Sequence, residues 1–149
     1  MIFSTTFALA LLLLTHVAHA LPSADSSKRL TPVLATYDAT YDNRNGSLNG
    51  VACSNGANGL VTEYPTFGSL PSFPNIGGAP GVTWNSPKCG SCWKLTSTTT
   101  GAYLIYTAID SSSGFNIAED AFKVINGGQI GQGTLEVDAQ PVPRYLCGI

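Results

Sequence analysis

Cys89-Gly90-Ser91-Cys92-Trp93 is the pivot of this chain: two cysteines three positions apart, with the other two, Cys53 and Cys147, far to either side. In a cytosolic protein such a CxxC pair reads as a redox site or half of a zinc site. In an exported protein an even set of four cysteines argues instead for two disulfides, and three pairings are open. If the CxxC sulfurs pair outward, Cys53 with Cys89 and Cys92 with Cys147, each bridge closes a long loop. In the chain-entropy model each then contributes about 4 kcal/mol, and both ends of the domain are pinned to its middle.

The start of the chain favours export. Residues 1–20 read as a signal peptide, with an apolar run from Phe7 to Leu14 and the small-x-small pattern Ala18-His19-Ala20 before cleavage. The run is shorter than the roughly 20 residues a bilayer core needs, so no transmembrane segment is expected. Cleavage there removes His16 and His19, the two histidines of the sequence. The mature chain then lacks imidazole for a catalytic triad or a metal site, and neither metal nor cofactor is expected. Residues 21–32 form a short polar segment containing Lys28-Arg29, a dibasic pair that reads either as a trimming site for an export protease or as part of a solvated terminus with no processing.

The chain has 149 residues, room for one domain. That domain is read as residues 33–149. Lys and Arg number 7 against 9 Asp and Glu, giving a net charge of −2, so no basic face exists for nucleic acid. With 44% apolar residues, 16 Gly, 9 Pro and one Met, the composition suits a turn-rich, mainly β fold.

Patterning agrees. Ala102 to Asp110 is β-branched and aromatic on both faces, as in a buried strand. Thr134 to Val142 alternates Leu135, Val137 and Ala139 with Glu136, Asp138 and Gln140, as in a half-exposed strand. Val33–Tyr37, Leu60–Tyr64 and Trp93–Thr98 are shorter strand candidates. Four prolines between Pro65 and Pro80 predict a long irregular loop. One helix is predicted, with Asn116 as its cap, Glu119 as in a capping box, Ile117, Ala121, Val124 and Ile125 as its apolar face, and Asn126-Gly127 as its stop.

Without histidine, the enzyme class to weigh is glycoside hydrolysis by paired carboxylates. Asp110 is the best single acid, because it ends a buried strand before the loop Ser111-Ser112-Ser113-Gly114. Asp42 is a second acid to test beside it. The alternative is that the Asp110 carboxylate caps turn amides. Sugar binding asks less, namely rings such as Tyr41, Tyr64, Phe67, Phe73, Trp84, Trp93 and Phe115 with neutral groups such as Ser54, Asn55, Asn58, Ser111 and Asn116. Trp93, beside a cysteine, is expected in the core, and Trp84 stands between core and platform. Asn45-Gly46-Ser47 fits the N-glycosylation sequon.

Read in order, Tyr37-Asp38, Tyr41-Asp42, Val51-Ala52-Cys53-Ser54-Asn55-Gly56, Tyr64-Pro65-Thr66, Phe73-Pro74-Asn75-Ile76-Gly77-Gly78, Ser86-Pro87-Lys88-Cys89-Gly90-Ser91-Cys92-Trp93 and Gly114-Phe115-Asn116-Ile117 resemble the cerato-platanin family of small secreted fungal proteins. The likeness runs from Val33 to the C-terminus, where Pro141 and Pro143 depart from the usual pattern. It implies a single-domain double-ψ β-barrel related to expansins and barwin, with disulfides Cys53–Cys89 and Cys92–Cys147. It also implies an extracellular or wall-associated protein that binds N-acetylglucosamine oligomers or wall polysaccharide without appreciable hydrolysis, acts as an elicitor through host immune receptors, and self-assembles at interfaces. Asp110, in Ile109-Asp110, falls where the family has the Asp of its GVDSG-like segment, and with Tyr41, Ser54, Asn55, Ser111 and Asn116, read from residue type, it makes up the expected carbohydrate-binding set. The alternatives are a glycoside hydrolase using Asp110 and a surface-active coat protein, the latter with fewer cysteines than a hydrophobin.

Overall fold

The long apolar run becomes β4 (Tyr103–Ser111), whose Leu104, Tyr106, Thr107, Ala108 and Ile109 are buried. The computed structural model describes residues 31–149, and the expected signal peptide and the expected processing site at Lys28-Arg29 lie outside the described residues. Around β4 close β1 (Val33–Tyr37), β2 (Ile76–Ala79), β3 (Ser91–Ser97), β5 (Phe115–Ile117) and β6 (Thr134–Val142). The barrel order is β1-β5-β2-β4-β3-β6, and β6 returns to β1. The β1·β5 and β2·β4 pairs are parallel and the others antiparallel. This is the mainly β barrel with a minor helix and two disulfides that the sequence implied.

The bridges are Cys53–Cys89 and Cys92–Cys147, with Cα separations of 5.3 and 5.9 Å. The two CxxC sulfurs thus serve different ends of the chain, and among the described residues no cysteine is free. One bridge ties the start of β3 to the C-terminal turn Arg144–Cys147, and the other ties the loop before β3 to the turn around Cys53.

Several local expectations need correction. The helix α1 is Glu119–Ile125, and its N-cap is Ala118, which has no side chain to cap with. Asn116 lies in β5 instead, where its Oδ1 accepts from Thr36 Oγ1 at 2.9 Å. The cap comes from far away in sequence, since the Asp42 carboxylate accepts from the N–H of Glu119 at 2.9 Å and of Asp120 at 3.1 Å. A later start also rotates the apolar face. Ala118, Ala121, Phe122 and Ile125 face the core at helical spacing, while Val124 is 62% exposed.

Leu60–Tyr64 is a turn and not a strand, with the N–H groups of both Glu63 and Tyr64 donating to the Leu60 carbonyl. Its β-branched residues find no neighbouring strand to pair with. Conversely, the Pro-rich loop contains β2, which is four residues long and buried throughout. A Cβ at Gly77 would overlap the backbone of Asn116 and Ile117, so glycine is what lets β2 lie against β5. Trp93 packs edge-on to Phe115 at 5.1 Å, against the core as expected.

Candidate functional site

The register of β2 on β4 slips between Gly77 and Gly78, passing from Ala108 to Asp110 and leaving Ile109 unpaired in that ladder. The Ile109 carbonyl accepts instead from the Cys53 N–H at 3.0 Å, which draws the turn around Cys53 onto the end of β4. Bulges bend strands and redirect the residues beside them, and here that residue is Asp110.

The Asp110 carboxylate accepts three hydrogen bonds. Oδ1 takes the N–H of Ala52 at 2.9 Å and of Ser111 at 2.8 Å, and Oδ2 takes the Tyr41 hydroxyl at 3.0 Å. Tyr41 comes from the 3-10 turn Ala39–Asp42, where the chain leaves β1, and is only 6% exposed. Burial, reinforced by the Asp110 carboxylate and by Asp38, pushes its phenol well above the ordinary value, so it is a neutral donor at any physiological pH.

Together these residues floor an open recess of about 230 Å³ lined by Asp38, Thr40, Tyr41, Asn43, Gly46, Ser47, Gly50, Val51, Phe67 and Asp110. Its rim is made of short polar self-caps: Asp38 Oδ1 accepts from the Thr40 N–H at 2.8 Å, Asn43 Oδ1 from Asn45 at 3.1 Å, and Ser47 Oγ from Asn49 at 3.2 Å. At the back, a Cβ on Gly46 would lie 2.6 Å from the Phe67 ring, so glycine is needed for that aromatic wall. Among the described residues, no lysine or arginine lines the recess. Its chemistry is therefore acceptor-rich, neutral to anionic and partly aromatic, which favours a polyhydroxylated ligand over an anionic one.

Of the expected binding residues, the recess gathers Tyr41 and Asp110. Ser111 is adjacent, at the exposed end of β4, and its N–H is spent on Asp110. Ser54 and Asn55 lie beyond Ala52 on the disulfide-bearing turn, and Asn116 stands in the barrel wall; none of the three lines the recess. Asp42 is occupied at the start of α1 and does not line it either, so the second carboxylate there is Asp38. Sequence reading missed Asp38, Thr40, Asn43 and Ser47. The signal available was the threefold spacing of Asp, Asn or Ser two residues before an amide that it caps. Asn45 of the sequon is exposed beside Gly46 and Ser47 on the rim. Among the described residues, no group of three or more His, Cys, Asp or Glu gathers as metal ligands would, and no helix is long and apolar enough to cross a membrane.

A six-stranded barrel with two disulfides and an open, acceptor-rich recess at the end of β4 defines a small class of disulfide-stapled barrel proteins. Residues 33–149 match the family model described as Cerato-platanin, and the chain belongs to that family. It is 45% identical over 128 residues to "Allergen Asp f 15" of Aspergillus fumigatus, a match covering 85% of this chain and 83% of the relative. The crystal structure of cerato-platanin 2 from M. perniciosa superposes with a TM-score of 0.73 at 43% identity, covering 80% of this chain and all of that one. The solution structure titled the fungal elicitor Cerato-Platanin gives a TM-score of 0.69 at 38% identity, covering 77% and 96%.

Proposed function

We propose that this protein is a secreted, non-catalytic carbohydrate binder that takes chitooligosaccharides or wall polysaccharide into the recess at Asp110, and that a host responds to it as an elicitor. The observation that carries the reading is the recess itself: a carboxylate held by Tyr41, Ala52 and Ser111, with hydroxyl, amide and aromatic groups around it and no cation. All three contacts use Asp110 as an acceptor, the opposite of the donor role a general acid plays at a glycosidic oxygen. An open site of this kind gains little per sugar ring and must sum contacts along a chain. Export is supported by the leader and the two disulfides, and the elicitor role by the relative whose solved structure carries that description.

A second reading keeps one supporting observation. Asp38 and Asp110 both line the recess, which is the raw material for a two-carboxylate glycosidase. Calorimetric titration with N-acetylglucosamine and its tetramer, run beside a reducing-end assay on the same samples, separates the two. Binding of tetramer but not monomer, with no new reducing ends, is the expected result. Hydrolysis by the wild type that disappears in Asp110→Asn would replace binding with catalysis.

A further inference from the structure

Trp84 presents a second feature that the recess does not use. Its indole is 64% exposed, yet it is fixed in place. The Nε1–H donates to Asn55 Oδ1 at 2.8 Å. The next residue, Asn85, has a left-handed backbone with φ of 56°, and it binds the same turn twice, its Oδ1 accepting from the Asn58 N–H and its carbonyl from Asn58 Nδ2, both at 2.9 Å. The Cys53–Cys89 bridge clamps the two segments together from behind. An exposed indole that is already ordered loses little conformational freedom when a ligand covers it.

The hydrogen bonding also defines what is left over for a ligand. The indole has spent its one polar group on the protein and offers only its ring face. Asn55, with Oδ1 engaged by the indole, keeps both amide hydrogens without a partner among the described residues. Asn58, with Nδ2 engaged by Asn85, keeps Oδ1 without a donor among the described residues. The immediate surroundings, Thr83, Asn85, Asn55 and Asn58, are polar, unlike the apolar centre of a protein interface. A flat ring face beside one donor group and one acceptor is matched by a pyranose with equatorial substituents, which turns C–H bonds to the ring and hydroxyls to the amides.

We infer that Trp84, Asn55 and Asn58 form a second carbohydrate subsite, a stacking platform for the sugar rings of a β-1,4-linked gluco-configured oligomer. It rests on the reading of the protein as a carbohydrate binder and extends it beyond the recess, which none of the three residues lines. Ala52, whose N–H reaches Asp110, and Asn55 are three residues apart, at most about 11 Å of chain. An oligomer of several rings is long enough to touch both places.

The test uses N-acetylglucosamine hexamer and cellohexaose as probes, with tryptophan fluorescence and amide-resolved NMR on the wild type, Trp84→Ala and Trp84→Phe. One probe or both should shift the wild-type emission saturably, and Trp84→Phe should abolish that shift, because Trp93 is half-buried against the core. Affinity should fall at least tenfold in Trp84→Ala and less in Trp84→Phe, which keeps an aromatic face. Perturbation of the Ala52 and Ser111 amides should survive in both variants at higher ligand concentration. Unchanged affinity in Trp84→Ala, with those amides still shifting, overturns the platform and leaves the recess standing. An indole response without any recess response does the reverse. Silence at both places removes both. A fluorescence change that follows protein concentration and not ligand marks a self-association contact, and it too overturns the platform.

Discussion

The antiparallel side of the barrel and the stretch from Asp38 to Leu70 are parts of one domain built by opposite means. β3 runs against β4 and β6 in six consecutive residue pairs on each side, and its Leu95 is fully buried. From Asp38 to Leu70 there are only 3-10 turns of three or four residues and a single isolated bridge, Ser47 to Thr66. The polar and covalent links from the turns to the rest of the domain include the Asp110 contacts, the Asp38 N–H on Ile117, the Asp42 carboxylate at the start of α1, the Cys53 N–H on Ile109 and the Cys53–Cys89 bridge. Both regions feed the core, the second through Tyr41, Leu48, Leu60, Phe67 and Leu70, but only the first has its backbone held by continuous strand pairing. The backbone of the second is tied to the barrel at separate points, by polar contacts and one disulfide, and it is the region that lines the recess.

The sharpest way to break that contrast is to open the Cys53–Cys89 bridge with paired alanines. The loop it closes spans 36 residues, so about 4 kcal/mol should be lost, with hydrogen-exchange protection vanishing first between Leu48 and Leu70 while β2, β3 and β4 stay protected. Uniform loss across the barrel would show that the two regions are one cooperative unit. Next in size is Asp110→Ala, which strands two amide N–H groups and a buried phenol; denaturant melts should show a loss of about 3 kcal/mol. A loss below about 0.5 kcal/mol would mean that Asp110 anchors nothing.

Alkaline titration compares the regions through two tyrosines. Burial raises both phenols: Tyr41, where Asp110 and Asp38 add to it, and Tyr106, which is fully buried in β4 and donates to the Gly78 carbonyl. The unfolded chain releases these protons near pH 10 while the fold keeps them, so above pH 10 the folded state binds more protons and stability falls as pH rises. Each such tyrosine contributes a slope of about 1.4 kcal/mol per pH unit, and none below pH 10. Phenolate absorbance should show Tyr41 ionising before Tyr106, because the turn region opens without the barrel. Simultaneous ionisation would contradict that order. The smallest effect is expected at Val124→Ser, within about 0.5 kcal/mol, because the start of α1 at Glu119 leaves that side chain in water. A larger loss would restore the face that the sequence pattern suggested.

The same contrast explains what could be read from the sequence. β4 and β6 are each nine residues long, and over such a length alternation or continuous apolarity is unambiguous. β2 and β5 have four and three residues, too few for a period, and β2 exists because Gly77 admits the backbone of β5. The cap of α1 was misplaced for a related reason: Asn116 is a suitable local cap, but Asp42, 77 residues before Glu119, fills the role in space. Asp110 and Tyr41 were each legible as candidates. Their pairing across 69 residues is a product of the barrel crossing, and the remaining recess residues lie in turns whose identity depends on self-caps and not on hydrophobic pattern.

The central claim, that the turn-built recess binds sugar chains without cleaving them, is tested most directly by amide-resolved NMR during addition of N-acetylglucosamine hexamer, with reducing ends counted in the same tube. Saturable shifts should appear at Thr40, Ala52 and Ser111, around Tyr41 and Asp110, while the β3 and β6 amides stay still and no reducing ends form. Shifts absent from the recess, or reducing ends that accumulate with the wild type and not with Asp110→Asn, would contradict it.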